Sequence, residues 1–412
     1  MIRTLLLLGA TGDLARRYVL PALGALHAAG RLPEGFRVVG AARGELDEDG
    51  VRRLAGGALP ADMLEYRTVD LADPLSLAAP IRGTPEPVAA YLALPPGVFA
   101  TTIESLAEAG LPPRSRVAIE KPFGDDLESA RELNALVAET GIDAYRVDHV
   151  LGMETVANLL ALRHRNPVLE RLWNGGNVEQ VEIRWEETLA LEGRAGFYDR
   201  AGALKDVLQN HMLQLLAVVG MDLPADDDDL HERKVDVLRS ARVVGGSRRA
   251  RYTAGTLADG RAVPAYADEK GVDPSRCTET FVETVLELDD ARWRDTRFIL
   301  RAGKALARQR KLVLLRLRNG GELELGIDGP TDIVLRLRGA GSAPVELVAP
   351  GGHESLPAYA HVLLDVLAGT SALSVGGNEA EEAWRIVTPI GAAWKAGEVS
   401  LQGYPAGSGG PS

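Results

Sequence analysis

The chain has 412 residues, 46% of them hydrophobic and 25% charged, an ordinary globular composition on a chain longer than one hydrophobic core usually serves. Its formal charge of −12 argues against a surface built for nucleic acid or an anionic membrane, so any phosphate it binds needs a local cluster of donors. With a single cysteine, Cys277, neither a disulfide framework nor a thiolate metal site is open to it, and no metal is expected.

The opening apolar run, LLLL at 5–8, is too short for a membrane span and leads straight into a turn, so a reducing cytoplasm is the expected location. RTLLLLGA (3–10) reads as a buried parallel strand and the next seventeen residues (14–30) as a helix. FRVVGAAR (36–43), PVAAYLALPP (87–96), SRVAIEKPFG (115–124) and IDAYRV (142–147) read as further strands. Strands alternating with helical periods predict right-handed βαβ crossovers. From 154 to about 164 the period is helical. Beyond that, apolar and polar residues alternate at 177–187, 279–289, 297–304, 311–320, 321–327 and 331–339, the pattern of an antiparallel sheet with one covered face. Helical stretches at 204–220 and 356–369 interrupt it. The acid run ADDDDLHERK (225–234) reads as a solvated loop and helix cap, and the tail from 403 has a flexible composition. The expected fold is therefore α/β plus β+α. A Rossmann-like doubly wound sheet fills 1–147, and 148–412 form a second domain on a large, mainly antiparallel sheet.

Gly9 and Gly12 lie in the turn after the first strand, where glycine lets backbone N–H groups approach a pyrophosphate at a helix N-terminus. Thr11, Asp13 and Leu14 complete this candidate nucleotide turn, and Pro95, near the end of the strand 87–96, is a further cofactor-binding candidate. NAD specificity asks for a carboxylate at the end of the second strand. Here Arg43 stands there and suits a ribose 2′-phosphate, so NADP is the expected cofactor.

Other polar residues sit where a core would not choose them. Glu120, Lys121 and Pro122 end a buried strand; Asp148 and His149 stand side by side at the domain boundary; Asp206, Asn210 and His211 share one helical stretch; Lys304 closes another strand. A lone histidine in an apolar helix is usually a core residue. His211, with Asp148 available to orient it, is a better candidate for a general base.

GATGDLA, YLALPP, EKPFG, RVDHVLG, LRHRNP, LWN, EGRAGFYD, DVLQNHMLQLL, FILRAGKAL, EEAWRIVTP and YPAGSGGP follow one another in the order found in glucose-6-phosphate dehydrogenases, and the chain resembles that family over nearly its whole length. The resemblance implies oxidation of a hexopyranose at C1 to the lactone with NADP, in carbohydrate (glucose) metabolism. It assigns His211 as the base, Asp148 as its orienting carboxylate, Lys121 as a lysine near the reacting hydroxyl and Pro122 as the residue that positions the nicotinamide. Glu187, Asp206 and Lys304 match groups that bind the sugar. It also implies a homodimer, or a dimer of dimers, paired through the large sheet. Where the family places a tyrosine and a lysine after the Asp-His pair, to grip the 6-phosphate together with the histidine matched by His149, this chain has Val150 and Met153. Tyr18 replaces a further lysine. An uncharged or differently substituted hexose is the rival substrate, and a non-catalytic regulatory relative is the reading from another class.

Overall fold

The computed structural model describes residues 1–60, 62–193, 195–328, 332–339, 344–350 and 356–411. Arg194 of the EGRAGFYD motif, Thr331 of the strand expected at 331–339 and the tail's Ser412 lie outside them.

Two compact units divide the chain. The first takes Met1–Met153 and Glu354–Glu381, the second Glu154–His353 and Glu382–Ser412. The first is built on β1 (Thr4–Leu8), β2 (Arg37–Ala42), β3 (Leu64–Thr68), β4 (Val88–Leu92), β5 (Arg116–Glu120) and β6 (Ala144–Val147). They pair in the order β3-β2-β1-β4-β5-β6, parallel throughout. Every residue of β1, β4 and β5 is buried, which is why their sequences run apolar without alternating. β3, LEYRT, is the strand that sequence reading missed. It is an edge strand and only Leu64 is buried, so it carries no apolar run. The strand order reverses between β1 and β4, the place where doubly wound sheets bind their ligands.

The division differs from the one expected at 147/148. Asp148 to Met153 stay with the first unit because the turn His149–Gly152 packs on the helix Ala358–Ala368. A Cβ on Gly152 would stand 2.4 Å from the Ala358 carbonyl oxygen, so only glycine allows this approach. That helix was expected to interrupt the large sheet. Instead Tyr359, Val362, Leu363 and Val366 join the core formed around Leu5, Leu7 and Leu23.

The second unit holds β7 (Val178–Glu186), β8 (Ala241–Thr253), β9 (Gly255–Thr256), β10 (Ala262–Val263), β11 (Phe281–Leu288), β12 (Arg297–Gly303), β13 (Arg310–Leu317), β14 (Glu322–Asp328), β15 (Ile333–Arg338), β16 (Pro344–Ala349) and β17 (Leu401–Pro405). Nine of them form one sheet in the order β16-β15-β14-β13-β7-β12-β11-β8-β17, antiparallel except at β7–β12 and β8–β17; β9 and β10 pair separately. β8, β16 and β17 were not anticipated. β8 is rich in arginine and glycine and only three of its thirteen residues are buried, so it shows no alternation. The tail is also more ordered than its composition suggests. β17 pairs with β8, Gly407 N–H donates to the Ala305 carbonyl (2.7 Å), and Ala307 N–H donates to that of Ser408 (2.8 Å). The acid run begins the helix Asp227–Ser240, with Asp226 accepting the Asp229 N–H as its cap. Among the described residues no helix is long and apolar enough to cross a membrane.

Candidate active site

The nucleotide-binding half belongs to the first unit. β1 ends at Leu8 and the chain turns through Gly9, which has φ +81° and whose Cβ would stand 2.2 Å from the Ala93 carbonyl oxygen. No other residue fits there. Gly12 N–H donates to the Gly9 carbonyl (2.9 Å), and a Cβ on Gly12 would meet the same oxygen at 3.1 Å. Thr11 and Leu14 are half-buried and Asp13 is exposed, so the face of the turn stays open. The helix that follows opens with a wide turn, Ala15–Val19, running i→i+5, and continues as Leu20–Ala28. Pro21 lies just inside that continuation, where its missing N–H would leave an ordinary turn unbonded, and the widened turn accommodates it. Pro95 lies exposed before the turn Pro96–Val98, on the segment whose Ala93 oxygen meets Gly9. Arg43 follows β2 and is exposed, and the next residue's carbonyl accepts the Tyr66 hydroxyl from β3. The cradle therefore fits a dinucleotide: it offers close backbone approach, a helix N-terminus and an exposed guanidinium at the end of the second strand.

Lys121 and Pro122 leave β5 half-buried, joined by a cis peptide. Asp148 is wholly buried, and its carboxylate accepts the Val150 N–H at 3.1 Å, capping the turn that carries His149. His149 stacks on Tyr359 with centroids 5.1 Å apart at 16°, and Tyr359 stacks in turn on Tyr18 at 5.3 Å. Tyr359, which comes from the helix assigned to the wrong unit, was missed for that reason. Val150 has no exposed surface, while Met153 is half-buried.

Beneath this group Glu120 accepts a hydrogen bond from the Tyr91 hydroxyl. Burial pushes its carboxyl up to about 7, opposed by that bond and by the Lys121 ammonium, with Asp148 adding to the rise. The folded state thus holds this proton more tightly than the unfolded chain, whose carboxyl titrates at its ordinary 4.5. Between those two values folding takes up a proton, so stability falls as pH rises from 4.5 to 7 and is flat above it, by about 3 kcal/mol. Glu120→Gln should remove this slope. Urea unfolding at pH 5, 6, 7 and 8 will show it as a shallower loss than in the wild type, and an identical slope would mean that Glu120 does not hold the proton.

The sugar-binding half belongs to the second unit. Leu204–Met212 forms a run of i→i+5 turns between the helices Ala195–Ala203 and Leu213–Gly220. On an α-helix of 3.6 residues per turn, Asp206 and His211 would project about 140° apart. On i→i+5 turns each turn takes more residues, so the angle between the two is smaller and their side chains turn toward a common side. His211 is buried and its ring stacks on Trp185 of β7 at 5.2 Å and 29°. Its backbone N–H donates to Asn210 Oδ1 (2.7 Å), while Asn210 Nδ2 donates to the Lys205 carbonyl (2.9 Å).

Glu187, just past β7, pairs with Lys304 Nζ at 2.5 Å and Lys311 Nζ at 3.6 Å. Burial pushes Glu187 up, but Lys304 and then Lys311 outweigh it and hold its carboxyl below the usual range, with Asp206 working against them. Lys304 lies over the Tyr198 ring at 5.2 Å and Lys311 over Trp185 at 4.7 Å. The tail supports this corner, because the Tyr404 hydroxyl donates to the Lys304 carbonyl at 2.7 Å. The structure thus brings Glu187, Lys304 and Asp206 into one electrostatic neighbourhood. It adds Trp185 and Lys311, which read in sequence as two more positions of alternating strands.

A parallel nucleotide-type sheet, followed by a large sheet against which a helical run stacks a buried histidine beside carboxylates and lysines, defines the two-part architecture of nucleotide-dependent sugar oxidoreductases. Residues 6–158 match the glucose-6-phosphate dehydrogenase NAD binding domain, and residues 160–335 and 345–412 match the glucose-6-phosphate dehydrogenase C-terminal domain. The chain belongs to the glucose-6-phosphate dehydrogenase family. It is 34% identical to a glucose-6-phosphate 1-dehydrogenase of Dickeya dadantii (strain 3937), across 99% of this chain and 94% of that one. A solved glucose-6-phosphate 1-dehydrogenase from Mycobacterium avium superimposes with a TM-score of 0.86 at 31% identity, covering 100% of this chain and 96% of the other. A glucose-6-phosphate dehydrogenase in complex with its substrate glucose-6-phosphate gives a TM-score of 0.89 at 27% identity, with the same coverage.

Proposed function

We propose that the protein oxidises a hexopyranose at C1 to the lactone with NADP, and that glucose 6-phosphate is the default substrate. NADP, when bound, accepts the hydride from C1. The observation that carries the reading is His211 on its i→i+5 turns, buried against Trp185, with Asp206 five residues before it on the same turns. In this reading His211 takes the proton of the C1 hydroxyl, so negative charge builds on the oxygen as the C–H bond breaks. Asp148 and Lys121 keep the roles their motifs assign, orienting carboxylate and lysine near the reacting hydroxyl. Glu187, Asp206 and Lys304 hold sugar hydroxyls, and His149 the substituent at C6. Gly9, Thr11, Gly12, Asp13, Leu14, Pro95 and Pro122 hold the nucleotide, and Arg43 its 2′-phosphate. A homodimer or dimer of dimers in the cytoplasm belongs to the same proposal.

One observation favours a second substrate class. Buried Val150 and half-buried Met153 offer no strong hydrogen-bond donor where the family grips a phosphate, and a ring, Tyr18, replaces a lysine. A hexose uncharged or differently substituted at C6 is the alternative.

The test is NADPH fluorescence on mixing the protein with NADP or NAD and a panel of glucose 6-phosphate, glucose and other hexoses. Growth of signal with NADP and one of the sugars is expected, and silence across the panel overturns catalysis. Arg43→Ala should raise the Kd for NADP by about one to two orders of magnitude and leave NAD nearly unchanged. Equal losses for both would remove the argument for NADP.

A further inference from the structure

The run of i→i+5 turns that presents Asp206 and His211 needs a fixed starting point, and Glu279 supplies one. Helix Ala195–Ala203 is interrupted at Gly202, whose φ of +63° is not helical, so a fresh set of unbonded N–H groups begins there. Glu279 precedes β11 and is 7% exposed. Its carboxylate lies against the Gly202 Cα: a Cβ there would stand 2.3 Å from Oε1, 2.7 Å from Cδ and 2.8 Å from Oε2. From that seat Oε1 accepts the Leu204 N–H at 2.9 Å, and the Glu279 carbonyl accepts the Ala203 N–H at 3.3 Å. One residue therefore holds two successive donors at the start of the functional turns, and both the shape and the φ of Gly202 are what let it do so.

We propose that Glu279 is a positioning residue whose carboxylate anchors the start of the i→i+5 turns and so sets where Asp206 and His211 meet the sugar. This rests on the reading of those two residues given above. The groups facing the carboxylate are Lys205 on the turns themselves, Arg249 on β8, Tyr198 on the preceding helix and Tyr266 in the turn Tyr266–Asp268. Asp206 also faces Tyr198, and Asp199 accepts the Tyr266 hydroxyl. Burial pushes the Glu279 carboxyl up to about 7, against the Leu204 bond, its own backbone N–H and the two cations. Above that pH the anchor is charged and its bond is charge-assisted, roughly twice as strong as the neutral one below it. The same raised value costs folding stability as pH climbs from 4.5 to 7. Anchoring and stability therefore move in opposite directions with pH.

The experiment compares wild type with Glu279→Gln by hydrogen exchange of the peptide 203–212, by thermal melting at pH 8, and by kcat and KM for the best sugar between pH 6 and 8.5. The amide keeps the shape and loses the charge. At pH 8, exchange in that peptide should quicken by about three- to tenfold and KM for the sugar should rise by a similar factor, with the NADP Kd unchanged. The melting temperature should not fall, and the component of the pH profile near 7 should vanish. Unchanged exchange together with an unchanged pH profile overturns the proposal, as does a loss of melting temperature parallel to the loss of activity. Should the glutamine variant fail to fold, the wild type decides alone: protection of 203–212, corrected for intrinsic exchange chemistry, must weaken between pH 8 and pH 6, and constant protection overturns the anchor. Exchange needs no sugar, so a silent sugar panel with a responsive peptide sinks the functional reading and leaves the anchor standing.

Discussion

His211→Asn should remove turnover by on the order of 10² to 10⁴ while leaving the Kd for NADP unchanged, the range that a positioned general base commands. Asparagine cannot take a proton at neutral pH, and it is the smaller side chain, so the buried ring that stacks on Trp185 is lost without crowding. The nucleotide cradle belongs to the other compact unit, so a selective loss of chemistry separates the base from a general defect. Asp148→Asn should cost less. The amide oxygen can still accept the Val150 N–H, so the turn holding His149 survives while the negative charge is gone. Single-turnover NADPH formation with saturating sugar is the measurement. A wild-type-like kcat in His211→Asn would show that another group removes the proton.

Most of this architecture was legible because parallel and antiparallel strands write different patterns. β1, β4 and β5 are buried on both sides and read as apolar runs, while β11 and β12 alternate buried with more exposed residues. What escaped notice carries little burial: β3 at one edge, β8 with its arginines and glycines, and β17, whose partner lies about 150 residues earlier in the chain. The helix Ala358–Ala368 was found but placed in the wrong unit, since periodicity reports that a face is buried and not against what.

The site shows the same division. Gly9, Asp148 and His211 could be singled out by where they stand: a glycine in the turn after the first strand, a carboxylate beside a histidine where a strand ends, and a histidine in an apolar helix with an aspartate available to orient it. Trp185, Lys311 and Tyr359 break none. A tryptophan and a lysine in strands and a tyrosine in a helix look like packing and surface until the register of β7 and β13 places Lys311 opposite Trp185. The i→i+5 turns at Leu204–Met212 were likewise invisible, because the apolar spacing there also suits an α-helix.

The second large effect concerns the substituent at C6. A hydrogen bond to a charged group is worth roughly 1.5–3 kcal/mol, so loss of two would lower kcat/KM for a phosphorylated sugar by on the order of 10² to 10⁴. The wild type is therefore expected to handle glucose 6-phosphate poorly for a member of its family. Restoration tests this, and the structure sets its order. Met153 is half-buried with extended backbone at the end of its turn, so Met153→Lys can keep its ammonium hydrated. It should raise the ratio of kcat/KM for glucose 6-phosphate over glucose by about tenfold. Val150→Tyr is different, because Val150 has no exposed surface and the larger ring must displace its neighbours at a cost of about 1–3 kcal/mol. The double variant should therefore exceed the single one in the sugar ratio and fall below it in melting temperature. If the wild type already oxidises glucose 6-phosphate efficiently, the phosphate must be held by His149 with other donors, and His149→Ala, which also unstacks Tyr359, should then abolish the preference. If both sugars fail before and after restoration, the substrate is another hexose, and the wall formed by Tyr18, Tyr359 and His149 becomes the place where its C6 substituent has to fit.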